Sequence, residues 1–134
     1  MSWEVFVIGF RDGDEVNIDL DLAEWVLARH GVEAPGARQR IHRDPSDPEL
    51  WTEFTVQPEY IGFERPAEGA VWNLIFDLML TCGAGLTDPM ENVVVPSEQV
   101  RGHLPAQESF NSVFVATSVD ELLAAPWPEE NDEA

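Results

Sequence analysis

The chain has 134 residues, 44% of them hydrophobic, and its 26 acidic and seven basic residues give a net charge of −19. This length fits one domain with a sizeable core, and five Trp and seven Phe exclude a disordered acidic chain. The charge disfavours nucleic acid and anionic membranes as partners, because both would be repelled by an acidic surface.

The first segments predict a strand, a helix and a loop. Residues 3–10 (WEVFVIGF) are apolar on both alternating faces apart from Glu4, which predicts a central strand. Strict alternation over 16–22 predicts a second strand or the lead into a helix. Asp21 and Glu24 have capping-box spacing, which predicts a helix over 22–30 that ends at Gly31. Residues 32–49 contain several prolines and arginines and predict a long surface loop.

The middle of the chain predicts a hairpin and then a helix. Residues 50–56 alternate as a half-buried strand does, and residues 59–64 can pair with them. In the following segment the polar residues Asn73, Asp77 and Thr81 recur every four positions among apolar ones. This spacing predicts a buried helix over about 71–82, ended by the glycines at 83 and 85.

The last third predicts short elements. Two apolar runs, 93–95 and 113–116, predict short strands, and a helical turn is expected between them within 97–103. Ser118 and Glu121 have capping-box spacing for a helix over 119–125. Residues 127–134 are acidic and are expected to form a disordered tail. The fold class is therefore α+β: one domain over 1–126, with a mixed or antiparallel sheet and the 71–82 helix packed on it.

An unusual density of acidic residues follows the first predicted strand. Six acids fall within thirteen residues, and we call residues 12–24 the acidic segment; its acids are Asp12, Asp14, Glu15, Asp19, Asp21 and Glu24. A calcium loop starting at the first of them would need an oxygen ligand at its fifth position, Gly at its sixth and Glu at its twelfth. The chain has Val16, Asn17 and Ala23 there, so no metal site is expected.

Other reactive residues have ordinary explanations. His30 stands at a predicted helix C-terminus, where the helix dipole favours a cation, and Cys82 ends an apolar helix. The stretch 83–85 (GAG) follows a helix, whereas a phosphate loop precedes one. No catalytic residue and no cofactor are therefore predicted. Four tryptophans, at 3, 25, 51 and 72, fall in predicted elements and are assigned to the core, while Trp127 is either a binding anchor or locally packed.

The compartment follows from what the sequence lacks. Cys82 is the single cysteine, so no internal disulfide can form. The first ten residues lack the basic region of a signal peptide, and no apolar run approaches the length of a membrane span. A cytoplasmic location is expected.

A resemblance to a known family indicates a function for these features. In size, acidity, the MSWEVFV strand, the buried WNLIFDLML helix and HLP at residues 103–105, the chain resembles the small cytoplasmic immunity proteins encoded beside bacterial polymorphic or secreted toxins. The resemblance implies a stoichiometric inhibitor that binds a basic toxin, such as a nuclease, and identifies no residue. From the charge density, the six acids of the acidic segment are the predicted partner-binding residues.

Two other classes of function stay open. One is a small enzyme or ligand-binding domain with a pocket over the sheet, using His103, Arg101 or Asp77. The other is an acidic mimic of DNA, which would carry acids spaced like phosphates along one elongated face.

Overall fold

A computed structural model of the chain describes residues 4–125, within which eight strands form one mixed sheet and four helices pack on it. The strands are β1 (Glu4–Arg11), β2 (Asp14–Val16), β3 (Gln39–Asp44), β4 (Asp47–Gln57), β5 (Tyr60–Glu64), β6 (Ala84–Thr87), β7 (Asn92–Val95) and β8 (Ser112–Val115). The helices are α1 (Leu20–Arg29), α2 (Val71–Cys82), α3 (Glu98–Arg101) and α4 (Val119–Leu123), and a 3-10 turn spans Gln107–Ser109. This is the predicted α+β class.

The strand order across the sheet is β3–β4–β5–β1–β6–β7–β8, and β2 pairs with the end of β1. The pairs are antiparallel except for β7 and β8, which run parallel. The first strand therefore lies in the middle of the sheet, as its sequence predicts.

We call the face of the sheet that carries α1 and α2 the inner face. The main core lies between this face and the two helices. Alternate residues of the central strands point to this face, and the rings of Phe54 and Phe63 stack there with centroids 4.6 Å apart. Leu27 from α1 and Leu74 and Leu78 from α2 are fully buried against them. Burial of apolar side chains on this scale is the main stabilising contribution to the fold.

Among residues 4–125, elements cover only one half of the opposite, outer face of the sheet. Val93 and Val95 of β7, Phe10 of β1, and Val100 of α3 form a second, smaller apolar cluster there. The half of the outer face formed by β3, β4, β5 and the start of β1 has no described helix packed on it.

The α2 helix has the predicted bounds. Seven of its twelve residues are buried, and Gly83 caps its C-terminus with a φ of 62°, in the left-handed region. Glycine adopts that conformation without the clash that a Cβ would cause, which explains the sharp end of the helix. Leu80 is an apolar exception on the exposed side of the helix, 52% exposed.

Two sequence predictions about the first half of the chain are wrong. The helix α1 begins at Leu20, two residues early, and Asp19 caps it; the predicted cap, Asp21, lies in the first turn. Residues 32–49 are not one long loop, because β3 and the start of β4 form an antiparallel hairpin there.

The β3 strand was not predicted because the side chains on its inner face are polar. Its inward side chains are Arg40, His42 and Asp44, all buried, so the strand lacks the apolar alternation that marks a strand. The short strand β6 was also missed, because it follows the helix directly and contains Gly85.

The remaining elements lie close to their predicted positions: β4 pairs with β5 as a hairpin, and β7, β8, α3 and α4 are present. The predictions for Trp3, Trp127 and the 127–134 tail fall outside the described residues.

Candidate partner-binding surface

The acidic segment lies at one end of the sheet, on the β1–β2 turn and the start of α1. Asp12, Asp14 and Glu15 belong to the turn and to β2, while Asp19 and Asp21 lie at the start of the helix. All five are exposed. The structure therefore displays these five carboxylates to solvent on consecutive elements.

The β1–β2 turn is fastened to the body of the protein through His103. The backbone N–H of Gly13 donates to the His103 carbonyl at 3.0 Å, and the N–H of Asp12 donates to the ring atom Nδ1 at 3.1 Å. In this arrangement the ring atom Nδ1 acts as the hydrogen-bond acceptor for the turn. His103, a candidate for catalysis from the sequence, here fixes the position of an acidic turn.

The start of α1 is also fixed by hydrogen bonds. The Asp19 carboxylate accepts from the N–H of Asp21 at 3.0 Å and from the N–H of Leu22 at 3.3 Å. A carboxylate at this position satisfies free helix donors and is favoured by the helix dipole. The charge of Asp19 is therefore both structural and exposed.

Glu24 differs from the other five acids because its carboxylate is occupied. It accepts from the Arg40 guanidinium at 2.8 Å and from the Gly36 N–H at 3.1 Å. Burial raises the pKa of Glu24, but these hydrogen bonds and the Arg40 charge outweigh it, so the pKa lies below its ordinary value. We therefore leave Glu24 out of the surface proposed below.

A groove of about 590 Å³ opens beside the acidic segment, between the ends of α1 and α2 and helix α3. Leu22, which is 41% exposed, and Leu80 form part of its wall, together with the His103 ring. An apolar wall next to several carboxylates is a suitable surface for a partner with both apolar and basic side chains.

Cys82 also lines this groove, and its thiol is protonated at neutral pH. Burial raises its pKa to about 11, and the charges of Asp19 and Asp77 act in the same direction. A thiol with this pKa is a poor nucleophile.

A histidine and a carboxylate do meet elsewhere, between the two large helices. His30 Nε2 lies 3.0 Å from an Asp77 carboxylate oxygen, and Arg29 lies 3.6 Å from the same oxygen. The Thr81 hydroxyl donates to the other oxygen at 3.1 Å. The groove beside the acidic segment is not lined by His30 or Asp77, and neither residue lines a second cavity, of about 370 Å³, at the β3 edge of the sheet. The pair therefore serves to join α1 to α2.

The ligand-binding alternative named His103, Arg101 or Asp77, and of these only His103 lines the groove beside the acidic segment. Asp77 lies on α2 beside α1, whereas His103 holds the acidic turn. Arg101 forms an ion pair with Glu98 on α3 at 3.4 Å. Within residues 4–125, no group of three or more His, Cys, Asp or Glu side chains is arranged to hold a metal ion.

Two of the four tryptophans assigned to the core are exposed. Trp72 is buried as predicted, but Trp25 is 56% and Trp51 is 51% exposed. Trp25 lies under the Arg29 guanidinium, 4.7 Å from the ring centroid. The core assignment was wrong for both because an element places only one side chain in every two or three against the core.

Comparison with known proteins gives no relative: no family model, no curated protein and no solved structure matches this chain. No helix among the described residues has the length and apolar character needed to cross a membrane.

Proposed function

We propose that this protein is a stoichiometric inhibitor, an immunity protein of the cytoplasm, that binds a basic toxin and blocks it. The observation that carries the proposal is the fixed display of Asp12, Asp14, Glu15, Asp19 and Asp21 on a braced turn and a capped helix. A surface that is already ordered loses little conformational entropy when a partner docks.

The charges of this surface are largely unneutralised within the described residues. Of the five acids, Asp12 alone has a basic group within 4.0 Å, the His103 ring at 3.6 Å. Repulsion among such carboxylates costs stability, and a cationic partner would relieve it. The whole molecule, at −19, would also attract that partner over a distance.

The mechanism is occupation of a basic active site. Carboxylates on the rigid segment take the positions of the phosphates that a nuclease would hold, and Leu22 and Leu80 bury apolar surface beside them. An interface of ordinary size, about 800 Å² per partner, is large enough to cover both the five acids and the groove wall.

The test uses the purified product of the gene next to the one encoding this protein. We compare the wild type with D12N/D14N/E15Q/D19N; asparagine at 19 still caps the helix, so the fold is preserved. We expect association to slow about tenfold at low salt and its dependence on salt to weaken, as measured by stopped-flow or surface plasmon resonance.

A control variant removes the same number of exposed acids elsewhere: D47N/E49Q/E68Q/E91Q. Because it changes net charge equally, it reports the general effect of charge, and about a twofold slowing is expected. Equal slowing by the two variants would remove the acidic segment from the interface. A neighbour that does not bind, together with a catalytic activity of the protein itself, would replace inhibition with the enzyme alternative.

A further inference from the structure

The uncovered half of the outer face carries exposed apolar side chains. Trp51 on β4 and Ile41 on β3 are 51% and 43% exposed, although both lie within paired strands. Contiguous exposed apolar patches often mark interaction sites, and tryptophan is enriched among the residues that dominate binding at protein interfaces.

Aromatic rings continue this surface onto the neighbouring strands. Phe6 of β1 and Tyr60 of β5 form an edge-to-face pair with centroids 5.4 Å apart. Gly62 lies beneath them, and a Cβ there would come within 3.1 Å of both rings. The glycine lets the two rings lie close to the sheet, so this part of the face stays flat.

A row of carboxylates crosses the same face. Glu4 is directly opposite Glu64 in the β1–β5 ladder. Glu53 lies one position beyond the Phe54–Phe63 pair, in line with Glu64 on the next strand. Neighbouring strands are about 4.8 Å apart, and like charges at such positions repel one another. Within residues 4–125, none of the three forms an ion pair.

We infer that this half of the outer face docks an arginine-bearing surface of a partner protein. A guanidinium can stack on an aromatic face and pair with a carboxylate in the same approach, and here each of β4, β5 and β1 carries one aromatic ring and one carboxylate on this face. Lysine lacks the planar group that both contacts use. A second copy of the chain is a poor occupant, because the row of glutamates and the net charge of −19 would face themselves.

Within residues 4–125, the strands place one arginine, Arg43, on this half of the outer face. Arg43 is opposite Trp51 on the edge strand β3, whereas Glu4 and Glu64 lie on the inner strands of the face. Glu53, on β4, is the member of the carboxylate row nearest to Arg43, and Glu64 and Glu4 lie one and two strands farther away. The outer face is separate from the acidic segment, so the inference does not depend on the proposed inhibition.

The experiment titrates the isotopically labelled full chain with the blocked peptide Arg-Val-Arg-Val-Arg and follows backbone amide shifts by NMR. Salt at about 150 mM reduces non-specific attraction to the acidic chain. We expect the largest shifts in β4, β5 and β1, and a dissociation constant at least about threefold lower than for the Lys-Val-Lys-Val-Lys peptide.

Matched variants locate the contact. Trp51→Ala should raise the dissociation constant about threefold or more, whereas Trp25→Ala, which removes an equally exposed ring from α1, should leave it within about 1.5-fold. Glu64→Gln should weaken binding, and Glu68→Gln, beyond the end of the strand, should not. The amide spectrum of each variant shows whether it is folded.

Shifts centred on residues 12–21, equal affinity for the two peptides, or equal effects of the two tryptophan variants would overturn the inference. The variant D12N/D14N/E15Q/D19N separates the two proposals. It should slow toxin binding and leave the peptide shifts in β4 and β5 unchanged, so either surface can fail without the other.

Discussion

His42 is a buried titratable residue on the inner face of the sheet. It lies on β3 with its side chain 3% exposed, and no other described residue forms a hydrogen bond with its ring. Burial lowers its pKa below the ordinary value of 6.5, and the nearby His30 acts in the same direction while Asp44 opposes it. The folded protein therefore holds this imidazole neutral.

This placement predicts a loss of stability in mild acid. As the pH falls through about 6.5, His42 is protonated more readily in the unfolded chain than in the folded one, so the free energy of unfolding falls with pH. The stability that the neutral His42 contributes is fully present above that pH. Below it, the free energy of unfolding falls by at most about 1.4 kcal/mol per pH unit for this one proton. Urea unfolding between about pH 7.5 and 5.5 measures it.

The comparison is with His42→Leu, which removes the titrating group and keeps an apolar side chain of similar size. Its pH profile should be flatter than that of the wild type. Parallel profiles for His42→Leu and the wild type would show that His42 does not control acid stability.

At the level of single elements, the start of α1 depends on Asp19 rather than on Asp21. Asp19→Ala should lower the free energy of unfolding by about 1 kcal/mol, because two N–H groups lose their acceptor. Asp19→Asn should change it little, and Asp21→Ala should cost less than Asp19→Ala. Thermal unfolding by circular dichroism ranks the three, and a larger loss for Asp21→Ala would contradict the observed cap.

The elements also show what the sequence could and could not predict. The β1 strand and α2 were predictable because their apolar residues repeat with a clear period and tertiary packing follows that period. The β3 strand was not, because Arg40 and His42 occupy inward positions, and the Glu24 partner that makes buried Arg40 acceptable lies on another element.

The candidate surface was partly predictable in the same sense. A count of acids located the acidic segment, but spacing alone could not show that Glu24 turns inward to Arg40, sixteen residues away. Nor could it show that the outer face is uncovered beside Trp51, because a half-buried strand has the same alternation whichever face a helix covers.

At the scale of the whole molecule, the excess negative charge should govern how stability responds to salt. Carboxylates lie within a few ångströms of one another on the acidic segment and on the outer face, and unfolding moves them apart. Salt screens that repulsion, with a Debye length that falls from about 30 Å at 0.01 M to about 10 Å at 0.1 M.

Raising sodium chloride from about 0.01 M to about 0.3 M should therefore raise the melting temperature, by several degrees if screening relieves about 1 kcal/mol. The choice of chloride matters because sulfate also strengthens apolar burial and would raise stability without any charge effect. D12N/D14N/E15Q/D19N, with four fewer charges, should start from a higher melting temperature in low salt and gain less from added salt. A wild type whose melting temperature is unaffected by salt would mean that its carboxylates do not strain the fold, and the electrostatic argument for a cationic partner would lose its thermodynamic basis.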